Sequence, residues 1–362
     1  MLNSICAAIP ELVGGSADLT PSNLSKFKGA LDFQAATPQG RYIRFGVREH
    51  AMAAVCNGLF AYGGLRPFCA TFLNFTGYAL GAMRVSALSK FGVIYIATHD
   101  SIGLGEDGPT HQPVEALLNF RATPDLLTLR PADANEVSGS YMIALERRQT
   151  PCVIALSRHP NPNPNPTLTP TLSLTLTPTP TLTLTLTLTL TLTLTLTLSR
   201  QGCNNLHGSS KEAVERGAYV LRNKEKGEDE STEQPPELVL VGSGSEVQLL
   251  VQAAPELAKR VRVRVVSMPC WELFDAQPMA YRLSVFPRGV PVLAVEALSS
   301  EGWCKYAHSV IGMRTFGHSG PAKEVQKHFG FTAENVQAKA LELLEFYKGR
   351  EAPCLLERPD AP

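Results

Sequence analysis

The chain has 362 residues, more than one ordinary domain needs, with 44% hydrophobic and 18% charged residues, the balance of a globular protein of two domains. Its 33 basic and 33 acidic residues cancel, which leaves no electrostatic footprint for nucleic acid or an anionic membrane. No apolar run is long enough to span a bilayer, and MLNSICAAIPEL lacks the basic start and long apolar stretch of a signal peptide; it reads as the interior of a helix, with an upstream segment to be expected.

From residue 1 to 158, apolar strand patterns alternate with helical ones. RYIRFG, RPFCATF, GVIYIATHD, LLTLRPA and PCVIALS read as strands, and EHAMAAVCNGLFAY, GYALGAMRVSALSKF and ANEVSGSYMIALERR as helices. The strands are almost continuously apolar, which fits a parallel sheet covered on both faces. Residues 159–208 form a linker containing, at 161–198, an Asn-Pro run followed by a Thr-Leu repeat. Strict Thr/Leu alternation has β periodicity but specifies no register, so this segment is expected to be disordered. One tandem hexanucleotide encodes Asn-Pro in one frame (AAC-CCT) and Thr-Leu in the next (ACC-CTA), so the segment also reads as translated repeat DNA. The α/β pattern resumes at 209–350, before a tail at 351–362. RNKEKGEDESTEQPPE reads as a solvated loop; ELVLVGSGSEV, VRVRVVSMP, PVLAVEA and MRTFG read as strands; SEVQLLVQAAPELAKR, PAKEVQKHFG and AENVQAKALELLEFYKG read as helices. The fold class is therefore α/β, two doubly wound domains in tandem.

The eight cysteines include no Cys-x-x-Cys pair, which argues against a zinc ribbon and a disulfide framework and for buried thiols in a reducing compartment. GSGSE at 242–246 resembles a dinucleotide-binding turn, but Val247 replaces the third glycine and the following strand carries Arg262 and Arg264 where an acidic ribose partner belongs, so a plain strand-to-helix turn is the preferred reading. Glu49 stands where a strand meets a helix, as a dipole partner or a catalytic carboxylate. Phe72, Phe75 and Tyr78 recur at threefold spacing, as core or as a platform for a ring. The loop THDSIGLGEDGPTHQP, 98–113, has no metal-ligand spacing, but its glycines suit close approach by a ligand, and His99 follows a strand whose carboxyl end faces the usual crevice of such folds. Arg158 ends its strand in the same way, while Asp18 and Ser22 could simply cap a helix.

Taken together, GGSADLTPSN, RYIRFGVREHAM, TFLNFTGYALGAMR, THDSIGLGEDGPTHQPVE, FRATP and LRPADANE closely resemble transketolases in order and spacing, as do GSGSEV, VVSMPCWELFDAQ, FGHSGPAKEV and FGFTAENV in the second unit. The resemblance implies a thiamine-diphosphate-binding (pyrimidine) fold followed by a transketolase C-terminal-like domain, and transfer of a two-carbon ketol unit from a ketose phosphate to an aldose phosphate, as in the pentose phosphate pathway or Calvin cycle. By that likeness Glu49 and His111 are catalytic: Glu49 bonds the aminopyrimidine ring nitrogen, and His111 assists proton transfer at the reacting carbonyl. Asp18, Phe72, Phe75 and Tyr78 join Glu49 in holding the cofactor, with Phe75 stacking on the pyrimidine. Ser22, His99 and Arg158 bind the sugar phosphate, and Asp107 a hydroxyl of the donor. Thiamine diphosphate and Mg2+ or Ca2+ are the implied cofactors, but the sequence contains no Gly-Asp-Gly, so the metal ligands are expected on a domain before Met1 and none in this chain. The implied partners are sugar phosphates and a second chain, as a homodimer or as a separate diphosphate-binding polypeptide; neither nucleic acid nor membrane is expected. The compartment is cytoplasm or plastid, any transit peptide lying upstream. The competing readings are a truncated, non-catalytic paralogue that dimerises and a relative resembling dihydroxyacetone synthase.

Overall fold

The computed structural model describes residues 1–157, 205–221 and 235–357. Arg158, the 161–198 repeat, Cys203 and most of the charged stretch before the second unit lie outside the described residues. In the first unit six strands, β1 (Leu12–Ser16), β2 (Tyr42–Arg44), β3 (Arg66–Phe72), β4 (Ile94–Thr98), β5 (Leu127–Leu129) and β6 (Cys152–Leu156), form one sheet in the order β2-β1-β3-β4-β6-β5. Every pairing is parallel, and the register sets Phe72 beside Thr98 and Thr98 beside Leu156. All carboxyl ends therefore meet along one edge, the usual ligand side of such sheets.

Alternate residues of these strands enter opposite cores. Ile94 and Ile96 pack with Phe68, Ile154, Val137 and Tyr141 on one face, and Tyr95 and Ala97 with Met52, Cys56, Met83 and Val153 on the other. The helix Ala134–Glu146 covers the first face; the helices Glu49–Tyr62 and Leu80–Leu88 cover the second. Burying each large aliphatic side chain contributes roughly 1.5–3 kcal/mol, which is why both faces need cover. Leu2–Ala8 is a helix, as its composition suggested, docked through Leu2 and Cys6.

In the second unit β7 (Tyr219–Leu221), β8 (Leu238–Gly242), β9 (Val263–Ser267), β10 (Val292–Ser299) and β11 (Ser309–Met313) follow the order β11-β10-β8-β9-β7. Only β7 runs antiparallel, closing one edge against β9. The helices Glu246–Ala258 and Ala333–Phe346 cover one face, where Leu240, Val265 and Val295 are buried; Trp271, Phe274 and Trp303 cover the other. One expected strand is misplaced: MRTFG is not a strand, because β11 ends at Met313 and Arg314 to Phe316 are exposed beyond it. Seven described cysteines are free, and five of them are buried. No described helix is long and apolar enough to cross a membrane.

The two units meet across a buried polar seam. Arg121 pairs bidentately with Glu296, 2.8 Å at each oxygen, and the Trp303 indole donates to the same carboxylate at 2.8 Å. Burial alone would raise the Glu296 carboxyl, but Arg121 and then Arg130 outweigh it and hold its pKa down at about 2. A second node centres on Glu136, fully buried, which accepts from the Ala132 amide (2.6 Å), the Tyr219 hydroxyl (2.7 Å) and Ser267 Oγ (2.5 Å). There burial, reinforced by the neighbouring Asp133 charge, exceeds the effect of the donors and raises the carboxyl to about 7.

Candidate active site

The carboxyl ends of β3 and β4 gather the aromatic and imidazole side chains. β3 ends in Phe72, 5% exposed, and the Leu73 amide donates to the Thr98 carbonyl at 2.7 Å, so the chain turns directly into the 3-10 helix Asn74–Ala79 that carries Phe75 and Tyr78. His99, one step past β4, is 1% exposed and stacks on Phe72 with ring centroids 3.6 Å apart. Phe75 stacks on Phe72 at 5.5 Å, and His111 meets Phe75 edge-on at 5.1 Å and Phe72 at 6.1 Å. Tyr78 stands at the rim, 71% exposed and 6.3 Å from Phe75. The aromatics at threefold spacing are thus neither plain core nor dispersed; they form a graded wall, buried at Phe72 and open at Tyr78.

Hydrogen bonds hold this wall from three sides. Ser16 Oγ donates to Asn23 Oδ1 (2.7 Å), Asn23 Nδ2 donates to Thr98 Oγ1 (2.6 Å), and Thr98 Oγ1 meets His99 Nδ1 at 2.8 Å. Asn74 Nδ2 donates to the Thr110 carbonyl (2.6 Å), and Thr110 Oγ1 lies 2.8 Å from His111 Nδ1. From the second unit, the FGHSG loop holds the histidine loop: Gln112 Nε2 donates to the His318 carbonyl at 2.9 Å and Ser319 Oγ to the Glu106 carbonyl at 2.5 Å. The loop glycines serve this approach, since Gly108, at φ +75°, would carry a Cβ only 3.0 Å from Ser319 Cβ.

Of the other expected residues, Glu49, Asp18 and Ser22 follow the ends of β2 and β1. Glu49 is the first residue of the helix Glu49–Tyr62 and 7% exposed, and its carboxylate has no hydrogen bond or ion pair among the described residues. Asp18 leaves β1 exposed with φ +62°. Ser22 lies in the short helix Thr20–Asn23, half-buried, beside the Asn23 that reaches Thr98. Neither Asp18 nor Ser22 caps that helix: Leu19 is its N-cap residue and no side chain caps it. Asp107 is exposed on the loop, and Arg158 lies outside the described residues. Sequence reasoning passed over Asn23, Asn74 and Gln112, which set the wall; only Asn74 carried a hint, as a short amide side chain just past the apolar strand β3. It also passed over Asp100, fully buried and paired with Arg130 at 2.8 Å.

A buried carboxylate without a hydrogen-bonding partner among the described residues, opening a helix that packs on the 3-10 helix of the aromatic wall, fits an aminopyrimidine ring, which offers stacking faces and ring nitrogens. No group of three His, Cys, Asp or Glu side chains among the described residues could hold a metal ion. A separate cavity of about 730 Å3, lined by Val114, Glu115, Ser299, Met313, Arg314 and Phe316, includes none of the wall residues.

Residues 1–163 match the transketolase pyrimidine-binding domain, and residues 217–332 the transketolase-like C-terminal domain. Transketolase 1 of Saccharomyces cerevisiae is 46% identical over 356 residues, covering 96% of this chain and 45% of the yeast protein. The structure of the transketolase from Leishmania mexicana superposes with a TM-score of 0.81 at 46% identity, covering 97% of this chain and 45% of that one. The chain thus spans about half the length of these relatives. A split-gene transketolase, solved as an inactive beta4 tetramer, shares the fold over 95% of both chains at 21% identity and a TM-score of 0.62. By two domain matches in family order and close identity across nearly its whole length, this chain belongs to the transketolase family.

Proposed function

We propose that this chain supplies the pyrimidine side of a transketolase site, transferring a two-carbon ketol unit between sugar phosphates once a diphosphate-binding domain completes it. The carrying observation is the Phe72–His99 stack at 3.6 Å, with Phe75 and His111 around it. Thiamine diphosphate, when bound, supplies the nucleophilic carbon and the electron sink. Glu49 shares a proton with the ring nitrogen of its aminopyrimidine, a role that burial of the carboxylate supports. Phe72, Phe75 and Tyr78 hold the ring, Asp18 lies near the cofactor, and the wall excludes water. His111 moves a proton at the reacting carbonyl. Asp107 accepts from a donor hydroxyl, while His99, Ser22 and Arg158 hold the phosphate. The metal, Mg2+ or Ca2+, belongs to the complementary domain.

A second chain is the expected partner, either a homodimer mate or a polypeptide bearing that domain. The helix Glu49–Tyr62 supports this: after His50 it carries no charge, its Ala51, Ala54, Val55, Ala61 and Tyr62 are exposed, and the helix Leu80–Leu88 packed against it exposes Val85 and Leu88. The shared fold of the split-gene protein is consistent with a separately encoded partner. The domain limits stay at 1–158 and 209–350, and the compartment at cytoplasm or plastid. A truncated, non-catalytic chain that dimerises is the second reading.

The test is ketol transfer by the chain mixed with thiamine diphosphate, magnesium and a polypeptide bearing the diphosphate-binding domain. Transfer that Glu49→Ala lowers by about 100-fold or more is expected. No transfer in the complete mixture favours the non-catalytic reading, and an unchanged rate in Glu49→Ala removes Glu49 from the chemistry.

A further inference from the structure

The GSGSE turn sits where strand–turn–helix units receive a phosphate, after β8 and at the start of the helix Glu246–Ala258. In this protein the turn is filled by an arginine of the other unit. Arg130, just past β5 and fully buried, sends Nη1 to the Ser243 carbonyl (2.9 Å), to Ser243 Oγ (3.3 Å) and to the Glu246 carboxylate, and its own carbonyl accepts from the Gly244 amide at 3.0 Å. Gly244 has φ +57°, and a Cβ there would lie 2.7 Å from the guanidinium carbon, so glycine is required for this embrace.

The far side of the same guanidinium faces the candidate site. Arg130 Nε donates to Asp100 Oδ2 at 2.8 Å, and Ser157 Oγ donates to that oxygen at 2.8 Å. Asp100 directly follows His99, whose backbone is left-handed at φ +60°, a conformation unfavourable for a residue with a Cβ. Such a residue stays in place only where its surroundings over-determine it. His99 is held by Phe72 on its ring, by Thr98 at Nδ1 and by the locked Asp100 next in the chain.

We propose that Arg130 is a positioning residue: clamped by the GSGSE turn of the second unit, it fixes Asp100 and through it the left-handed placement of His99 on the Phe72 ring. The turn that resembles a phosphate cradle is then a cradle for a guanidinium, and the second unit takes part in shaping the site without touching substrate. Asp100, Glu246 and Glu296 together offset the burial that would otherwise favour loss of the Arg130 proton, so the strut keeps its charge. Its consequence for turnover rests on the placement of His99 in the ketol-transfer site.

The test uses the full chain and two readouts. The first is the NMR shift of the His99 ring protons, assigned by their loss in His99→Asn and sensitive to the Phe72 ring current. Gly244→Ala crowds the guanidinium without removing a charge; Arg130→Lys keeps the charge but loses the fork, and serves if Gly244→Ala does not fold. Tyr219→Phe, which loosens the Glu136 node of the seam, is the control. The His99 signals are expected to move in Gly244→Ala and Arg130→Lys and to stay in Tyr219→Phe. Unchanged His99 signals in both variants, with only a lowered melting temperature, would overturn the proposal and leave Arg130 as interdomain glue. The second readout is KM for phosphorylated substrates in the completed enzyme, expected to rise about 10- to 100-fold, with kcat affected less. Moved His99 signals with unchanged KM and kcat would uphold the strut but overturn the placement of His99 in the site.

Discussion

Glu136 offers a pH test of the seam between the two units. Its carboxyl, fully buried beneath Tyr219 and Ser267, keeps its proton up to about pH 7 in the folded chain, whereas its ordinary value is 4.5. Between those limits the native state binds more protons than the unfolded one, so stability falls as pH rises. A gap from 4.5 to about 7, at about 1.4 kcal/mol per pH unit, corresponds to about 3 kcal/mol, fully present below pH 4.5 and lost by pH 8. Glu136→Gln holds the position neutral at every pH and removes that slope. Glu296 acts in the opposite sense: its pKa of about 2 contributes stability above 4.5 that is lost as pH falls toward 2, outside this window and in both proteins alike. The assay is urea unfolding of the two proteins at half-unit steps from pH 4.5 to 8. The glutamine variant should gain on the parent across the series by about 3 kcal/mol, whatever their offset at the acid end. Parallel curves would show that Glu136 ionises at an ordinary pH and that the Tyr219 and Ser267 donors fully offset its burial.

Trp303→Phe removes the indole donor to Glu296 while retaining an aromatic ring near Trp271, and should cost about 1–2 kcal/mol in urea unfolding; no loss would mean that Arg121 and Ser243 satisfy that carboxylate without it. In the completed enzyme, Asp107→Ala should depress turnover most for donors bearing the hydroxyl that Asp107 is assigned, and equal losses on every donor would refute the contact. Val55→Asp charges the exposed apolar helix face, where Val55 is 46% exposed, and should shift sedimentation toward the single chain; an unchanged profile would exclude that face as the partner contact.

The long helices and the apolar central strands were legible because burial imposes its period on the sequence: the helix Glu49–Tyr62 has the limits that its pattern suggested. β1 was not legible, since Leu12–Ser16 contains two adjacent glycines and reads as a turn. Those glycines answer to neighbours absent from the local pattern: a Cβ at Gly14 would fall 1.9 Å from the Phe68 carbonyl oxygen, and one at Gly15 1.6 Å from that of Ile43. β7 escaped notice because three residues at a sheet edge carry little periodicity. At the site, Phe72, Phe75, His99 and His111 meet beyond the ends of β3 and β4, where a parallel sheet gathers its loops. The Asp100–Arg130–Glu246 alignment could not be read, because its members stand 30 and 116 residues apart and a charged residue in an apolar sequence reads locally as exposed.

Asp18 and His99 both leave their strands through left-handed steps, at φ +62° and +60°. Outside glycine, such a step costs roughly 1–2 kcal/mol. A redesign of this scaffold guided by thermostability alone would therefore be drawn toward glycine at both positions, most readily at exposed Asp18, where no packing is lost. It would harden the fold and strip two side chains from the edge of the crevice. Under the proposed function, folding and turnover place opposed demands on these positions, so an engineered form of this chain should keep both residues fixed and seek its stability elsewhere.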